Sequence, residues 1–344
     1  MVLIDATYIH ESGGKTLLEY FVSGVLDQKY NFILLLDKRL DAEFVIRVPP
    51  NQIFWVNSSE KDRFLIYNKL KKQITSVFCF ANVPPPIFLP KIKVFILFHN
   101  SLILSSIFET NSHSFKSKLF FIIRRQYIKF LNCENYKWIV QTDIMNISLT
   151  NALNITPSSV LTLPFYSKGL AKSKKEKSMT NPRFLYVADG VPQKNHLKLF
   201  EAWRILFFKY NLSFELSVTL PKRFVNLHRY ISELVNEGIP IKNYGRCDKQ
   251  LLSTLYSDIN YFIFPSLSES FGLPLLEAAE AGCQILASDL PYVYEVIKPS
   301  ATFDPNCADD IAKAIFMLSR NIDLPATEVV INDKRDKIIN LLFN

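Results

Sequence analysis

Apolar and polar positions along this chain fall into alternating blocks. Short apolar runs at 1–5, 32–37, 53–56, 76–80, 94–98 and 138–142 have the length and composition of strands, and segments such as 15–26 and 63–74 between them suit helices. After a polar interval the pattern resumes. Runs at 183–188, 215–220, 241–244, 259–264 and 284–288 read as strands, with helical segments at 196–210, 224–237, 249–257, 275–281 and 308–319. Such alternation predicts an α/β fold built from two parallel, doubly wound sheets. The interval, 167–182, is polar, basic and nearly free of large apolar residues, which is the character of an exposed interdomain linker. The expected division is a Rossmann-like domain at 1–166, the linker at 167–182, a second Rossmann-like domain at 183–320, and a tail at 321–344 able to pack back on the first domain. Sheets of this kind bind ligands at the carboxyl ends of their strands, so the cleft between the domains is the expected site.

A length of 344 residues with 49% hydrophobic content suits two domains, each with its own core. No apolar run reaches the ~18 residues that span a bilayer, and the first residues read as a strand rather than a signal peptide. A cytoplasmic protein is expected. Cys79, Cys133, Cys247, Cys283 and Cys307 are far apart and form no C-x-x-C pair, so neither a zinc site nor a disulfide framework is indicated.

Charge changes the picture in the first half. Residues 1–170 hold 19 Lys and Arg against 12 Asp and Glu, which is nearly all of the net +8. Within it, residues 115–131 mix five basic side chains with ten bulky apolar ones and no acid. Such a segment can lie on an anionic membrane surface, at the inner face of the plasma membrane, or pack on a sheet with its basic face in water. Nucleic acid is not an expected partner, because no binding motif accompanies the charge.

The candidate chemistry lies between the strand 259–264 and the helix 275–281. Glu269 and Glu277 stand eight positions apart around Gly272 and Pro274. Pro274 suits the opening of a helix, and Gly272 permits close approach of a ligand to the backbone. The N–H groups of Ser270, Phe271, Gly272 and Leu273, backed by the helix dipole, make a seat for a phosphate. Two acids beside an anion seat would repel a phosphate alone but suit a ligand that also carries hydroxyls. A nucleotide sugar has all of these parts.

The segment resembles the E-x7-E signature of retaining family 4 glycosyltransferases, enzymes of GT-B fold, and 278–283 and 287–291 are similar to the same family. The resemblance implies transfer of a hexose from a nucleoside diphosphate sugar with retention of configuration. It implies that Glu277 holds the ribose hydroxyls, while Glu269 holds the sugar and stabilises its positive anomeric centre. Gly13 and Gly14, read as a small turn between the first strand and first helix, match the family's glycine-rich loop, which faces the donor phosphates and the acceptor. His99 ends a strand and resembles the histidine that contacts the transferred sugar; His10, His113, His196 and His228 have weaker claims. Lys194, after the strand 183–188, matches the lysine that stabilises the leaving diphosphate. The catalytic set implied is Glu269, His99 and Lys194.

The family's arginine before that lysine is missing. Ala188 and Asp189 occupy its place, so another basic residue, such as Arg246 or Lys15, or one cation and the helix N-terminus, must serve. No D-x-D triplet occurs, so no catalytic metal is expected, and no cofactor beyond the nucleotide sugar, which is a substrate. The expected acceptor is a glycan or a polyprenyl-diphosphate-linked oligosaccharide in bacterial surface polysaccharide or O-antigen assembly. Absence of the full G-x-G-x-x-G and Walker patterns argues against dehydrogenases and nucleotide hydrolases. Two other classes stay open: another GT-B enzyme, such as a nucleotide-sugar epimerase, and a non-catalytic scaffold that binds a partner transferase or the membrane.

Overall fold

The computed structural model describes residues 1–40, 47–104, 115–167, 182–318 and 324–344. They divide into two compact units, Met1–Ser167 with Asn332–Asn344, and Lys168–Ile331. Most of the stretch read as a linker, 168–181, lies outside the described residues, as does His113.

In the first unit β1 (Val2–Ala6), α1 (Ser12–Asp27), β2 (Phe32–Asp37), β3 (Ile53–Val56), α2 (Glu60–Leu70), β4 (Ser76–Cys79), β5 (Lys93–Leu97), α3 (Ser101–Leu104), α4 (Phe115–Leu131), β6 (Lys137–Val140), α5 (Asp143–Leu153) and β7 (Val160–Thr162) follow in order. The strands form one sheet in the order β3-β2-β1-β4-β5-β6-β7, every pairing parallel. β1 and β2 are buried along their whole length, as strands covered on both faces must be. On one face Leu3, Leu35, Val77, Ile96, Trp138 and Val140 form a core with Tyr67 and Leu70 of α2, Ile128 of α4 and Leu149 of α5. Elsewhere Phe21 of α1 packs against Phe78, Phe80 and Phe165.

In the second unit the elements are β8 (Arg183–Tyr186), α6 (His196–Lys209), β9 (Glu215–Val218), α7 (Val225–Asn236), β10 (Ile241–Asn243), α8 (Lys249–Asp258), β11 (Tyr261–Phe264), α9 (Leu273–Glu280), β12 (Gln284–Ser288), α10 (Pro291–Tyr294), β13 (Ile297–Lys298), β14 (Ala301–Phe303), α11 (Ala308–Leu318) and β15 (Glu328–Val329). Six strands make a parallel sheet, β10-β9-β8-β11-β12-β14, and β13 pairs antiparallel with β15. The last helix, α12 (Arg335–Phe343), belongs to the first unit, where Phe343 stacks on Tyr30 at 4.2 Å and Ile338, Ile339 and Leu342 are buried.

Both sheets reverse direction once. The chain runs outward from β1 through β2 to β3, then returns to β4 on the other side of β1; β8 and β11 stand in the same relation. The carboxyl ends at such a reversal splay their loops apart and leave a crevice where ligands bind.

Candidate functional site

In the second unit the crevice lies between the loops that follow β8 and β11. Tyr186, the last residue of β8, donates from its hydroxyl to the Lys194 carbonyl at 2.6 Å and lies 3.2 Å from Ser266 Oγ. Leu267 N donates to the Gln193 carbonyl at 2.8 Å. Asn195, which caps α6 in the left-handed conformation at φ +59°, donates from Nδ2 to the carbonyls of Pro265 and Pro305. Asparagine tolerates that conformation better than most residues, and its amide fixes the two loops together. Ser288 Oγ and the Tyr292 hydroxyl both donate to the Ser266 carbonyl, which holds the start of the second loop.

On this frame Lys194 Nζ and Glu269 Oε1 stand 2.5 Å apart, with side chains 19% and 11% exposed. Lys194 also lies over the Phe264 ring at 6.0 Å. Ahead of them Gly272 caps α9 at φ +80°, where an added Cβ would stand 3.1 Å from Leu275 Cδ1. The helix begins at Leu273, two residues before the sequence pattern placed it, with Pro274 second; the left-handed Gly272 turns the chain directly into the helix. As at any helix start, amides in the first turn of α9 lack the acceptors that later turns supply.

Glu277 lies one turn further along α9. It accepts from the Tyr256 hydroxyl at 3.0 Å, and burial pushes its carboxyl up to about 7. The carboxyl is therefore shared between its protonated and ionised forms near neutrality. His196 opens α6 beside Lys194. Its ring packs against Tyr186 and Phe200, and neither ring nitrogen has a partner among the described residues. Burial, with help from the Lys194 charge, pushes it down to about 3.

The vacancy left by the family's arginine has a neighbour that the sequence did not reveal. Asp189 accepts from Arg223, in the loop after β9, at 2.9 Å. Gly190 beside it is a close approach: a Cβ there would meet Phe224 Cγ at 2.5 Å and Leu220 Cδ1 at 2.6 Å, an overlap costing about 1–3 kcal/mol. Lys15 instead pairs with Glu19 on α1 at 3.9 Å.

Gly13, Gly14 and His99 belong to the first unit. The two glycines are not a turn: they occupy the first turn of α1, after an extended Glu11 cap. Helix opening absorbs them because the first-turn amides need no partner within the helix, so the glycines contribute donors at the carboxyl end of β1. His99 follows β5. Its backbone N–H donates to Asn82 Oδ1 at 2.6 Å, and the Asn82 amide nitrogen faces His99 Nε2 at 3.3 Å. That assignment makes Nε2 an acceptor and leaves the proton on Nδ1, which has no partner among the described residues. Burial pushes the ring down to about 4, so it is a neutral imidazole rather than a cation.

Another cluster lies at the end of β1. Buried Asp5 accepts from Arg63 at 2.8 Å and from the Tyr67 hydroxyl at 2.8 Å, and Arg63 reaches Glu60, which accepts from Tyr8 at 2.6 Å. Tyr8 itself is held at φ +81°. Among the described residues no group of three or more His, Cys, Asp or Glu side chains could hold a metal ion.

Residues 168–327 match the family described as glycosyl transferases group 1. Over 134 residues the chain is 28% identical to the O-antigen chain mannosyltransferase B of Escherichia coli, covering 38% of this chain and 35% of that one. Over 188 residues it is 26% identical to the serotype-specific mannosyltransferase WbdA of Escherichia coli, covering 52% of this chain and 22% of the relative. The chain therefore spans about a third or less of the length of these relatives. Among solved structures it resembles Anabaena Alr3699/HepE in complex with UDP and glucose, with a TM-score of 0.68, 13% identity, and 93% of this chain and 89% of that one covered. The fold is that of GT-B glycosyltransferases.

Proposed function

From a chain whose residues 168–327 form a glycosyl transferases group 1 domain, we propose a retaining glycosyltransferase that moves a hexose from a nucleoside diphosphate donor to a glycan acceptor. The observation that carries this reading is the Lys194–Glu269 pair at the reversal between β8 and β11, beside the glycine-capped start of α9.

An arriving diphosphate exchanges partners with that pair. Its negative charge takes Lys194 and the amides of Gly272 and Leu273, which frees Glu269 to accept from sugar hydroxyls. As the glycosidic bond to the diphosphate breaks, negative charge grows on the departing oxygen, where each positioned donor is worth about 3 kcal/mol. Glu269 then faces the positive anomeric centre as an electrostatic partner, not as a covalent nucleophile. Glu277 in its ionised form accepts from the ribose hydroxyls. In the first unit Gly13 and Gly14 offer first-turn amides at the opening of α1.

Mannose as the hexose is supported by the names of the two mannosyltransferase relatives, and O-antigen chain synthesis by the name of the first; the acceptor in this reading is a lipid-linked oligosaccharide. The test is thermal stabilisation by a panel of UDP-, GDP-, ADP- and dTDP-sugars without metal, repeated on Glu277→Ala, then transfer assays with the sugar that binds. A ligand that binds only the folded state must raise the melting temperature. A shift from one nucleotide class that is lost in the variant identifies the donor. Silence across the whole panel overturns the donor site. A shift without transfer favours a binding scaffold.

A further inference from the structure

α4 divides its apolar side chains between two opposite faces. The inner face is fastened: Ile128 is fully buried, Arg125 Nε donates to the Ile103 carbonyl at 2.8 Å, and the Arg124 guanidinium lies 5.1 Å from the centre of the Tyr8 ring. The outer face carries Leu119, Phe120, Ile123 and Phe130, which are 46%, 58%, 60% and 84% exposed. At roughly 100° per residue, Leu119, Ile123 and Phe130 fall within about 40° of one another, one continuous stripe, with Phe120 beside it. A helix packed on a sheet needs only its inner stripe, so the outer one is unexplained by the fold. Scattered exposed apolar residues are ordinary, but a row of large ones on one helix marks a surface that meets something apolar.

Charge identifies what it meets. Residues 115–131 carry five basic residues and no acid, and helical spacing sets Lys118 and Lys129 together on one flank of the stripe. Two copies of this face would bring like charges together, which disfavours self-association. An anionic bilayer satisfies both features, because phenylalanine, leucine and isoleucine enter the headgroup boundary while lysines remain among the lipid phosphates. No helix among the described residues is long and apolar enough to cross a membrane, so the contact is with its surface.

We infer that the outer face of α4, Leu119, Phe120, Ile123 and Phe130 with Lys118 and Lys129, is a docking surface for an anionic lipid bilayer. The inference does not depend on glycosyl transfer. Its consequence for that reaction is that docking sets the Tyr8 and Glu60 cluster, to which the inner side of α4 is fastened, close to the lipid surface.

The test uses the whole purified chain and sedimentation with vesicles of phosphatidylcholine alone or mixed with phosphatidylglycerol, which contain no sugar acceptor. The wild type is expected to bind the mixed vesicles at least about tenfold more tightly than the neutral ones, and to be released by salt. Leu119→Gln/Ile123→Gln/Phe130→Gln should weaken binding at least about tenfold while leaving the circular dichroism and melting temperature unchanged. If that variant does not fold, Phe130→Gln alone, at the most exposed position, should still weaken binding. Lys118→Gln/Lys129→Gln should lose about fivefold per lysine, on the mixed vesicles only. Failure of the wild type to bind the mixed vesicles, or full binding by the apolar variants, overturns the inference. So does a lipid-free dimer that the triple variant dissolves, since a second copy would then own this face.

Discussion

Lys194 Nζ and Glu269 Oε1 meet at 2.5 Å, from loops that leave adjacent parallel strands at the reversal of the second sheet. Neither side chain is needed to hold the loops, because the lacing bonds run through Tyr186, Asn195 and backbone groups. Glu269→Gln and Lys194→Ala are therefore expected to fold, and each to lower kcat about 100-fold to 1000-fold. Steady-state rates beside circular dichroism check this. Full activity in Lys194→Ala would remove the lysine from the diphosphate site.

The proposed role of Glu277 in holding the donor carries a pH dependence. Its carboxyl stands at about 7 because burial disfavours its charge, and only the ionised form accepts two ribose hydroxyls. Donor affinity should therefore fall as pH drops below 7, approaching tenfold per pH unit. Glu277→Gln, which keeps the shape but cannot ionise, should bind weakly and show no such slope. Calorimetric titration at pH 6, 7 and 8 decides it, and an equal slope in the variant would place the titrating group elsewhere.

Stability should carry its own pH signature through His196. The ordinary value is 6.5 and the folded value about 3, so between them the unfolded chain binds the extra proton. The histidine's contribution is intact above 6.5 and is lost as pH falls toward 3, at about 1.4 kcal/mol per pH unit. Glu277 acts in the opposite sense, because its folded value is raised: it favours the fold below 4.5 and loses that effect as pH rises through 7. Comparing variants isolates each. His196→Phe suits a ring that already packs on Tyr186 and Phe200 and has no hydrogen bond to lose. Urea unfolding at pH 7 and pH 5 should show a smaller drop for His196→Phe than for the wild type; equal drops would mean that the histidine is solvated.

The sequence pattern found the large elements because each is long enough to show its period. The runs at 32–37, 53–56 and 284–288 coincide with β2, β3 and β12, and the Gly272 and Pro274 pair located α9 to within two residues. It missed β7 and β14, three-residue strands at the sheet edges, but found β10, an edge strand equally short, at 241–244. α12 was hidden in the tail, although Ile338, Ile339 and Leu342 carry helical spacing. Polar pairs across long separations were the least legible. Arg223 reaches Asp189 from 34 positions away, and nothing local in either segment indicates the other. The Gly13–Gly14 pair was misread for a simple reason: glycine signals a turn and a helix start alike, and only the Glu11 cap decides between them.

Asp5 and Arg63 make the strongest case for a purely structural role. The two lie 58 positions apart, are 1% and 2% exposed at their side chains, and meet at 2.8 Å with Tyr67 donating to the same carboxylate oxygen. Two charges removed from water cost several kcal/mol each, and their attraction repays this only while both remain. Arg63→Met alone should therefore destabilise the first unit by about 3–5 kcal/mol, because Asp5 is left buried without its partner. Asp5→Leu/Arg63→Met replaces both charges by apolar groups and should recover most of that loss. Tyr8 supplies the functional contrast. Its hydroxyl bonds to Glu60, which Arg63 also holds, so the double variant should loosen Tyr8 at the end of β1 even where stability returns. Urea unfolding of the three proteins measures the first effect. Amide exchange of residues 7–10 measures the second, and unchanged protection there would confine Arg63 to the core.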